Sequence, residues 1–519
     1  MQLNLKPFLK SLREKKKSVQ EILADLKEPH LWYPEARAIK RKFILHTGPT
    51  NSGKTHHALE RLKSADSGVY CGPLRLLAQE VYEKLADSGV ECSMLTGQIR
   101  IVNPNAKHIS CTIELANTEE MVEVAVIDEF QLISDSDRGL YWTRAILGIP
   151  ALEIHLCGDG SSKELIRKIC EITGDSYELR TYERLSPLEI EERPASISKL
   201  QKGDCLVTFS KKECIELKQQ MESKGKRCAI VYGSLPPIIR LQEAKRFNDT
   251  DDAEILIATD CIGMGLNLNI SRVIFTSTFK YDGRDFRKLK SPELRQIAGR
   301  AGRFKSDFNS CGKVSAFDRT GLDHIRKAFA AREEENKRAG LFPPAEQLEL
   351  FGENIAKNST KFSEILKSFV LSSNIDQHYF LCYFDRFLII AEHLDEIKMS
   401  IPDKYLFICS PFQIHRKKAM FFLKSFAFDY SEGKTIPFPF NQSHMVEGHT
   451  ANSTLECLED LYAISDGYLW LAHQFPESFN ETNKAQKYIQ MVTKEISEKL
   501  KTLPFNKLAG FSNVLKKDN

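Results

Sequence analysis

The chain has 519 residues, 42% of them hydrophobic and 28% charged, and 73 Lys plus Arg against 70 Asp plus Glu leave a formal charge of +3. Such values belong to an ordinary globular protein; they exclude a collagen-like, low-complexity or disordered chain and a wholesale polycation that coats nucleic acid. At roughly 150 residues per domain, the length predicts three or four domains.

Charge is concentrated at the start. Residues 1–42 hold 11 Lys/Arg and 5 Asp/Glu, a net of +6 that leaves −3 for the other 477. Arg13-Glu14-Lys15-Lys16-Lys17 reads either as a solvated helix face or as a contact to a phosphate backbone. Residues 1–13 carry no acid and no secretory apolar core, so an organellar transit segment is one reading of them. From Phe43, short apolar runs alternate with helical segments. Strands are expected at Phe43 to Thr47, Gly68 to Cys71, His108 to Thr112, Val122 to Ile127 and Glu153 to Cys157. A second series covers Asp204 to Phe209, Arg227 to Tyr232, Glu254 to Ala258 and Arg272 to Thr276, with helices such as Pro73 to Ala86 and Lys212 to Ser223 between strands. That alternation predicts right-handed βαβ units on mostly parallel sheets. The series divide near Thr181 to Pro194, which predicts two α/β domains.

After about residue 340 helical patterns dominate. Pro343-Pro344 introduces a helix from Ala345 to Phe351 that is expected to end by Gly352, and turns are expected near Ser372 to Asn374, Ile401-Pro402 and Pro437 to Pro439. The organisation read from these shifts is a basic helical arm (1–40), two α/β domains (41–181 and 182–340) and a mainly helical C-terminal region (341–519). No fixed-period repeat is visible. The longest apolar runs, around Phe387 to Ala391 and Tyr405 to Cys409, fall far short of the roughly 20 residues that span a bilayer, so no membrane partner is expected. Thirteen cysteines lie nowhere closer than Cys205 and Cys214, nine apart, which excludes a CxxC knuckle or redox pair. Their odd number and apolar surroundings predict reduced, buried thiols of an intracellular protein.

Three elements carry chemistry. Gly48-Pro49-Thr50-Asn51-Ser52-Gly53-Lys54-Thr55 fits G-x-x-x-x-G-K-[ST] between a predicted strand and a helical run, His57 to Leu62. Its glycines let successive backbone N–H groups face phosphate oxygens, Lys54 suits the β- and γ-phosphates of ATP, and the Thr55 hydroxyl suits Mg²⁺. Seventy-four residues on, the strand Val124 to Ile127 ends in Asp128-Glu129: Asp128 to hold Mg²⁺, Glu129 to polarise the attacking water. Gln296-Ile297-Ala298-Gly299-Arg300-Ala301-Gly302-Arg303 comes third. Arg300 and Arg303 share one helix face, and their planar forks suit the γ-phosphate as arginine fingers reaching across a cleft.

Together these elements resemble a superfamily-2, DExH-box helicase with two RecA-like domains, and more narrowly the suppressor-of-Var RNA helicases of the mitochondrial RNA degradosome and their bacterial relatives. The resemblance also rests on Tyr33-Pro34-Glu35-Ala36-Arg37, Asp128-Glu129-Phe130-Gln131, Arg138-Gly139, Trp142-Thr143-Arg144-Ala145, His155-Leu156-Cys157-Gly158, Ala258 to Leu268 and Leu341 to Phe351. It runs from about residue 32 to about 440. It implies an ATP-dependent RNA helicase in RNA turnover, with ATP and Mg²⁺ as cofactors and single-stranded or overhanging RNA as partner. Pro73, Arg75, Thr96, Gly97, Thr112 and Glu114 are thereby expected on the RNA backbone in the first domain, and Phe209, Ser210, Gly233 and Thr259 in the second. Gln296 is expected at the γ-phosphate, Gly265 and Asn267 at the nucleotide, with Asn267 standing where many relatives have an acid near the ribose. Gln131 replaces the His or Asp commoner at that place in helicases at large. The C-terminal region is expected to cap both domains and to meet an exoribonuclease in a degradosome-like complex. A mitochondrial matrix address follows from the family, with a bacterial cytoplasm as the alternative.

The residues themselves leave three further readings: a DNA helicase, since nothing in them reads a 2′-hydroxyl; a catalytically silent nucleic-acid-binding scaffold, against which the intact Lys54, Asp128, Glu129, Arg300 and Arg303 argue; and a phosphate-loop switch that merely senses nucleotide, which needs no arginine pair in a second domain. The aromatic stretch Tyr379, Phe380, Tyr383, Phe384 and Phe387 reads as packed core more readily than as a base-stacking surface.

Overall fold

In a computed structural model, which describes residues 19–249, 252–283, 285–302, 311–355, 361–382, 384–441 and 455–502, the two series of apolar runs form two separate sheets. The first has eight strands in the order Arg100–Ile101, Cys92–Leu95, His108–Thr112, Gly68–Gly72, Val122–Asp128, Ala151–Gly158, Lys42–Thr47 and Ser176–Thr181. All pairs are parallel except the short Arg100–Ile101 edge. Gly68–Gly72 and the last five residues of Val122–Asp128 and Ala151–Gly158 are continuously buried, as strands covered by helices on both faces must be. Register sets Thr47 beside Gly158 and Cys157 beside Asp128, so three strand ends share one edge. The chain leaves Lys42–Thr47 and skips two strands before re-entering at Gly68–Gly72; such a switch point opens a crevice at the carboxyl ends.

The second sheet has six parallel strands in the order Leu188–Ile190, Gly312–Ala316, Arg272–Phe275, Asp204–Val207, Ile255–Ala258 and Cys228–Val231. Strands the sequence reading did not anticipate are short or polar. Ser176–Thr181 is an edge strand with a largely exposed face, Leu188–Ile190 has three residues, and Gly312–Ala316 sets Gly, Ser and Ala around Lys313 and Val314. Residues 19–36 are packed rather than free: Asp25–Leu26 pairs with Asn374–Ile375, Gln347 Nε2 donates to Leu23 O (2.6 Å), and Trp32, Tyr33 and Ala36 are buried. Arg41, 1% exposed, donates to the carbonyls of Ile146, Leu147 and Ile149 and pairs with Asp175 at 2.6 Å. Residues Arg13 to Lys17 lie outside the described residues.

The C-terminal region is helical: Ala345–Ile355, Phe362–Ser372, Phe384–Leu394, Ile401–Cys409, Lys417–Ser431, Leu455–Gln474 and Thr482–Lys501. Gly352 does not end its helix, which runs to Ile355; a Cβ there would stand 2.8 Å from Ile401 Cδ1, so the glycine serves close helix packing. The apolar runs at Phe387 to Ala391 and Tyr405 to Cys409 are helical, and no helix among the described residues is long and apolar enough to cross a membrane. Tyr379 and Phe387 are buried, while Tyr383 lies outside the described residues. All thirteen cysteines are free, nine of them buried. Burial pushes Cys92 up to about 11 and Cys170 up to about 12, which keeps both as unreactive thiols.

Candidate nucleotide cleft and nucleic-acid channel

The Gly48–Thr55 loop joins the Lys42–Thr47 strand to the Lys54–Lys63 helix. Two of its residues are left-handed, Asn51 at φ 64° and Gly53 at φ 80°, the winding that turns consecutive N–H groups inward. Gly48 has no room for a side chain: a Cβ would lie 2.5 Å from Tyr182 O. Lys54 Nζ donates to Pro49 O at 3.0 Å, which holds the ammonium over the loop. The Ser52 hydroxyl is buried and has no hydrogen-bond partner among the described residues. An orphaned donor in a cradle of backbone N–H groups fits a phosphate chain.

Asp128 ends its strand directly behind the loop. Its Oδ1 accepts from Thr55 Oγ1 (3.2 Å) and Glu129 N (3.1 Å), and its Oδ2 from Tyr70 OH (3.1 Å). Burial, with the Glu129 carboxylate beside it, lifts Asp128 to about 6 against the pull of Lys54. A buried carboxylate under that strain, next to a threonine hydroxyl, suits a divalent cation, which would relieve the charge. Glu129 sits at φ 52°, and Gln131 Nε2 donates to its Oε2 at 2.5 Å. Gln131 Oε1 in turn accepts from Asp159 N (3.3 Å), and a Cβ on Gly158 would run into that same Oε1. Thus Gln131, unusual among helicases at large, links Glu129 to the Cys157-Gly158-Asp159 turn.

The other wall comes from the second domain. A cleft of about 770 Å³ is lined by loop residues Thr50 to Thr55, Asp128, Glu129, Gly265, Leu266, Gly299 and Arg300. Asn51 Nδ2 reaches Gly302 O at 3.1 Å, and Gly265, at φ 77°, meets Leu74 of the first domain where a Cβ would stand. Arg300 donates Nε to Gly263 O at 2.9 Å, so it ties the end of the Ser291–Ala298 helix to the Thr259–Gly265 loop while lining the cleft. Gln296 is half-buried against Gly263 and, like the exposed Asn267, is not among the lining residues. Arg303 lies outside the described residues.

Sequence reasoning missed three supports. Tyr70 reads there as an ordinary strand residue, yet its hydroxyl orients Asp128. Trp142 Nε1 donates to Asp128 O (3.0 Å), fixing the strand end. Arg184, in the connection between the sheets, spends its guanidinium on backbone carbonyls of both domains: Nη1 on Thr50 O (2.9 Å) and Gly299 O (2.8 Å), Nη2 on Ala301 O, Nε on Ser186 O (2.7 Å). Only the tertiary structure brings those carbonyls together.

A second cavity, about 350 Å³, opens between both domains and the Leu455–Gln474 helix. Pro73, Arg75, Gly97, Thr112, Glu114 and Gly233 line it, so six of the ten expected RNA contacts converge there. Thr96, Phe209, Ser210 and Thr259 do not line it. The Thr96 hydroxyl closes its own turn with Ile99, Ser210 caps its helix by accepting from Glu213 N (3.1 Å), Phe209 packs on the second core, and Thr259 N donates to Val231 O (3.0 Å). The helix contributes one face, Glu459, Tyr462, Ala463, Asp466 and Trp470, at helical spacing.

Several family models match along the chain. Residues 29–182 match the DEXQ-box helicase domain of Suv3, 189–305 the helicase conserved C-terminal domain, 389–431 the Suv3 C-terminal domain 1 and 455–502 the ATP-dependent RNA helicase SUV3 C-terminal domain. The chain is 40% identical over 497 residues to the DExH-box ATP-dependent RNA helicase DExH16, mitochondrial, of Arabidopsis thaliana, covering 95% of this chain and 86% of that one. It is 43% identical over 470 residues to the ATP-dependent RNA helicase SUV3L, mitochondrial, of Oryza sativa subsp. japonica, and 40% over 475 to the human SUPV3L1, mitochondrial. Each match covers 89% of this chain, which spans 63% of the rice protein and 60% of the human one.

Proposed function

Because the chain belongs to the SUV3 family of ATP-dependent RNA helicases, we propose that it couples ATP hydrolysis in the 770 Å³ cleft to movement along RNA and its unwinding. One observation carries this reading: the phosphate loop and the glycine–arginine turn of the second domain lie within hydrogen-bond reach, through Asn51 to Gly302 and through Arg184. Lys54 and the loop N–H groups bind the phosphates, with Arg300 completing the site from the far wall and Arg303 as the second arginine finger. Glu129, steered by Gln131, takes the proton of the attacking water. Mg²⁺ held by Thr55 and Asp128 would neutralise charge on the phosphates. The strand runs along the second cavity, where Pro73, Arg75, Thr112 and Gly233 meet its backbone without reading sequence. Loss of the γ-phosphate changes what bridges the cleft, and the two domains shift along the strand.

The relatives' names extend the reading to a mitochondrial protein, and the family resemblance to the matrix and to an exoribonuclease partner that degrades the freed strand. Unwinding of matched RNA and DNA duplexes with 5′ or 3′ overhangs tests the core of it. ATP-dependent strand release from RNA, lost in Lys54→Ala, is expected. Release from DNA alone would make the protein a DNA helicase, and RNA binding without any ATP turnover would make it a scaffold.

A further inference from the structure

In the channel, the expected phosphate contact Arg75 is already engaged. Its Nη1 and Nη2 donate to Asp466 Oδ1 and Oδ2 at 3.0 and 3.1 Å, a bidentate pair with the geometry an arginine offers a phosphate. Asp466 sits on the Leu455–Gln474 helix, so this ion pair fastens the helix to the first domain, beside a hydrogen bond from Gln98 Nε2 to Tyr462 OH at 2.8 Å. Seven residues earlier, Glu459 fastens it to the second: it accepts from Tyr232 OH (3.0 Å) and Ser234 Oγ (3.0 Å) and pairs with Lys211 (2.7 Å). The two anchors differ in kind. The Glu459 side chain is 2% exposed and held by several donors, whereas that of Asp466 is 15% exposed and has Arg75 as its one ion-pair partner among the described residues.

Arg240 lines the same cavity, close enough that the two guanidinium charges oppose each other. Its Nε donates to Leu235 O at 3.0 Å, and no carboxylate pairs with it among the described residues. Glu114, the remaining acid on that side, is taken by Arg138 at 2.6 Å. Arg75 therefore takes both oxygens of Asp466 while Arg240 has no carboxylate partner among the described residues, and the corner has positive charge in excess. At about 350 Å³ the cavity is at the low end of small-ligand pockets, so a strand enters it by displacing what bridges its walls.

We propose that Asp466 stands in for an RNA phosphate. It holds the Arg75 fork until a strand enters, whereupon a phosphodiester oxygen takes the fork, the next phosphate seats on Arg240, and the Leu455–Gln474 helix loses its ion pair to the first domain, keeping there the weaker Gln98–Tyr462 hydrogen bond, while Glu459 keeps it on the second. The latch rests on the RNA-channel reading above. At the Arg75 fork the exchange substitutes one anion for another on the same donors, the second phosphate offsets the charge of Arg240, and the helix becomes the moving part. Trp470, four residues after Asp466 and 3.6 Å from where a Gly97 Cβ would stand, travels with it.

The test is fluorescence anisotropy of a fluorescein-labelled oligouridylate with the full chain across a salt series, alongside thermal melting. Asp466→Asn removes the competing anion and is expected to tighten binding about fivefold, the scale of a partly exposed bidentate pair. Arg240→Gln is expected to weaken it about fivefold and to flatten the salt dependence by about 0.7, one single-strand phosphate contact. Trp470 emission should shift when RNA binds the wild type and should already be shifted in Asp466→Asn. Unchanged or weaker affinity in Asp466→Asn, with wild-type binding intact, overturns the latch alone. Failure of the wild type to bind overturns the helicase reading and the latch with it. Should Asp466→Asn lose its melting transition, Arg240→Gln carries the test, and an unaltered salt slope in that variant overturns the phosphate seat.

Discussion

Glu129 occupies a left-handed backbone conformation that non-glycine residues seldom adopt, and its carboxylate is steered by Gln131. Strain of that kind is kept where neighbours over-determine it; here Trp142 fixes the preceding carbonyl and Gly158 leaves Gln131 its space. Removing the base while keeping the shape isolates the chemistry: Glu129→Gln should lower ATP turnover about 10³-fold, with nucleotide and RNA binding retained in filter-binding assays. Arg184 acts on geometry instead. A glutamine offers two donors where the guanidinium offers five, so the carbonyls of Thr50, Gly299 and Ala301 cannot all be held. Arg184→Gln should reduce kcat about tenfold with little change in KM for ATP, because the phosphate loop stays intact while the opposite wall loses its position. A rise in KM alone would show that Arg184 serves ground-state binding. Lys54, Asp128 and Glu129 are legible in sequence because phosphate chemistry demands those residue types at those local spacings. Arg184 is not, because its partners are backbone carbonyls up to 134 residues away, and carbonyls leave no mark on residue identity.

Motifs outside the generic helicase set gain a reason at the level of elements. Arg138-Gly139 and the stretch around Leu341 form the seam between the first domain and the C-terminal region. Ala339–Leu341 pairs in parallel with Tyr379–Leu381 and lies on the Gly139–Gly148 helix. A Cβ on Gly340 would stand 3.2 Å from Gly139 Cα and would run into Cys382 Sγ, while a Cβ on Gly139 would meet Ile133 O. Two backbones cross with no room for a side chain. Gly340→Ala should therefore destabilise the protein by about 2–3 kcal/mol, the usual cost of overpacking, measured as a lower denaturant midpoint. An unchanged midpoint would mean that the seam opens at no cost. The element ends were less legible than the elements. Gly352 is a stop signal by local propensity, but Ile365 and Ile401 pack against it and the helix continues.

For the whole molecule, a buried chain of polar groups crosses the first domain. Tyr182 OH meets His46 Nδ1 (2.7 Å), His46 Nε2 meets His155 Nδ1 (2.9 Å), and His155 Nε2 meets Glu153 (3.2 Å). Burial, with His155 beside it, pushes His46 down to about 3, and burial lowers His155 as well. His46 stays neutral in the fold and takes up a proton on unfolding near 6.5, so its contribution to stability is present above pH 6.5 and is lost as pH falls from there towards 3. The expected slope from His46 is about 1.4 kcal/mol per pH unit, and His155 acts in the same direction. Asp128, raised to about 6, binds protons more readily in the fold than its ordinary 3.8 and opposes that trend below pH 6. Denaturant melts from pH 7 to 5 should show the net fall, and His46→Asn should flatten it. The same pH dependence in the wild type and in His46→Asn would mean that His46 is not held neutral in the fold.

The sequence by itself determined the two α/β sheets, the helical remainder, the phosphate loop and the carboxylates at the strand end. Each follows from short-range pattern: apolar runs of strand length, helical spacing, and a loop whose glycines and lysine answer to phosphate geometry. Only the tertiary structure decided what closes the cleft and what occupies the channel. The Arg184 strut, the Gly139–Gly340 crossing and the Arg75–Asp466 pair join residues 115 to 391 positions apart. The near-neutral composition conceals the channel for the same reason, since its arginines come from both domains and from the C-terminal region, and folding alone sets them against one another.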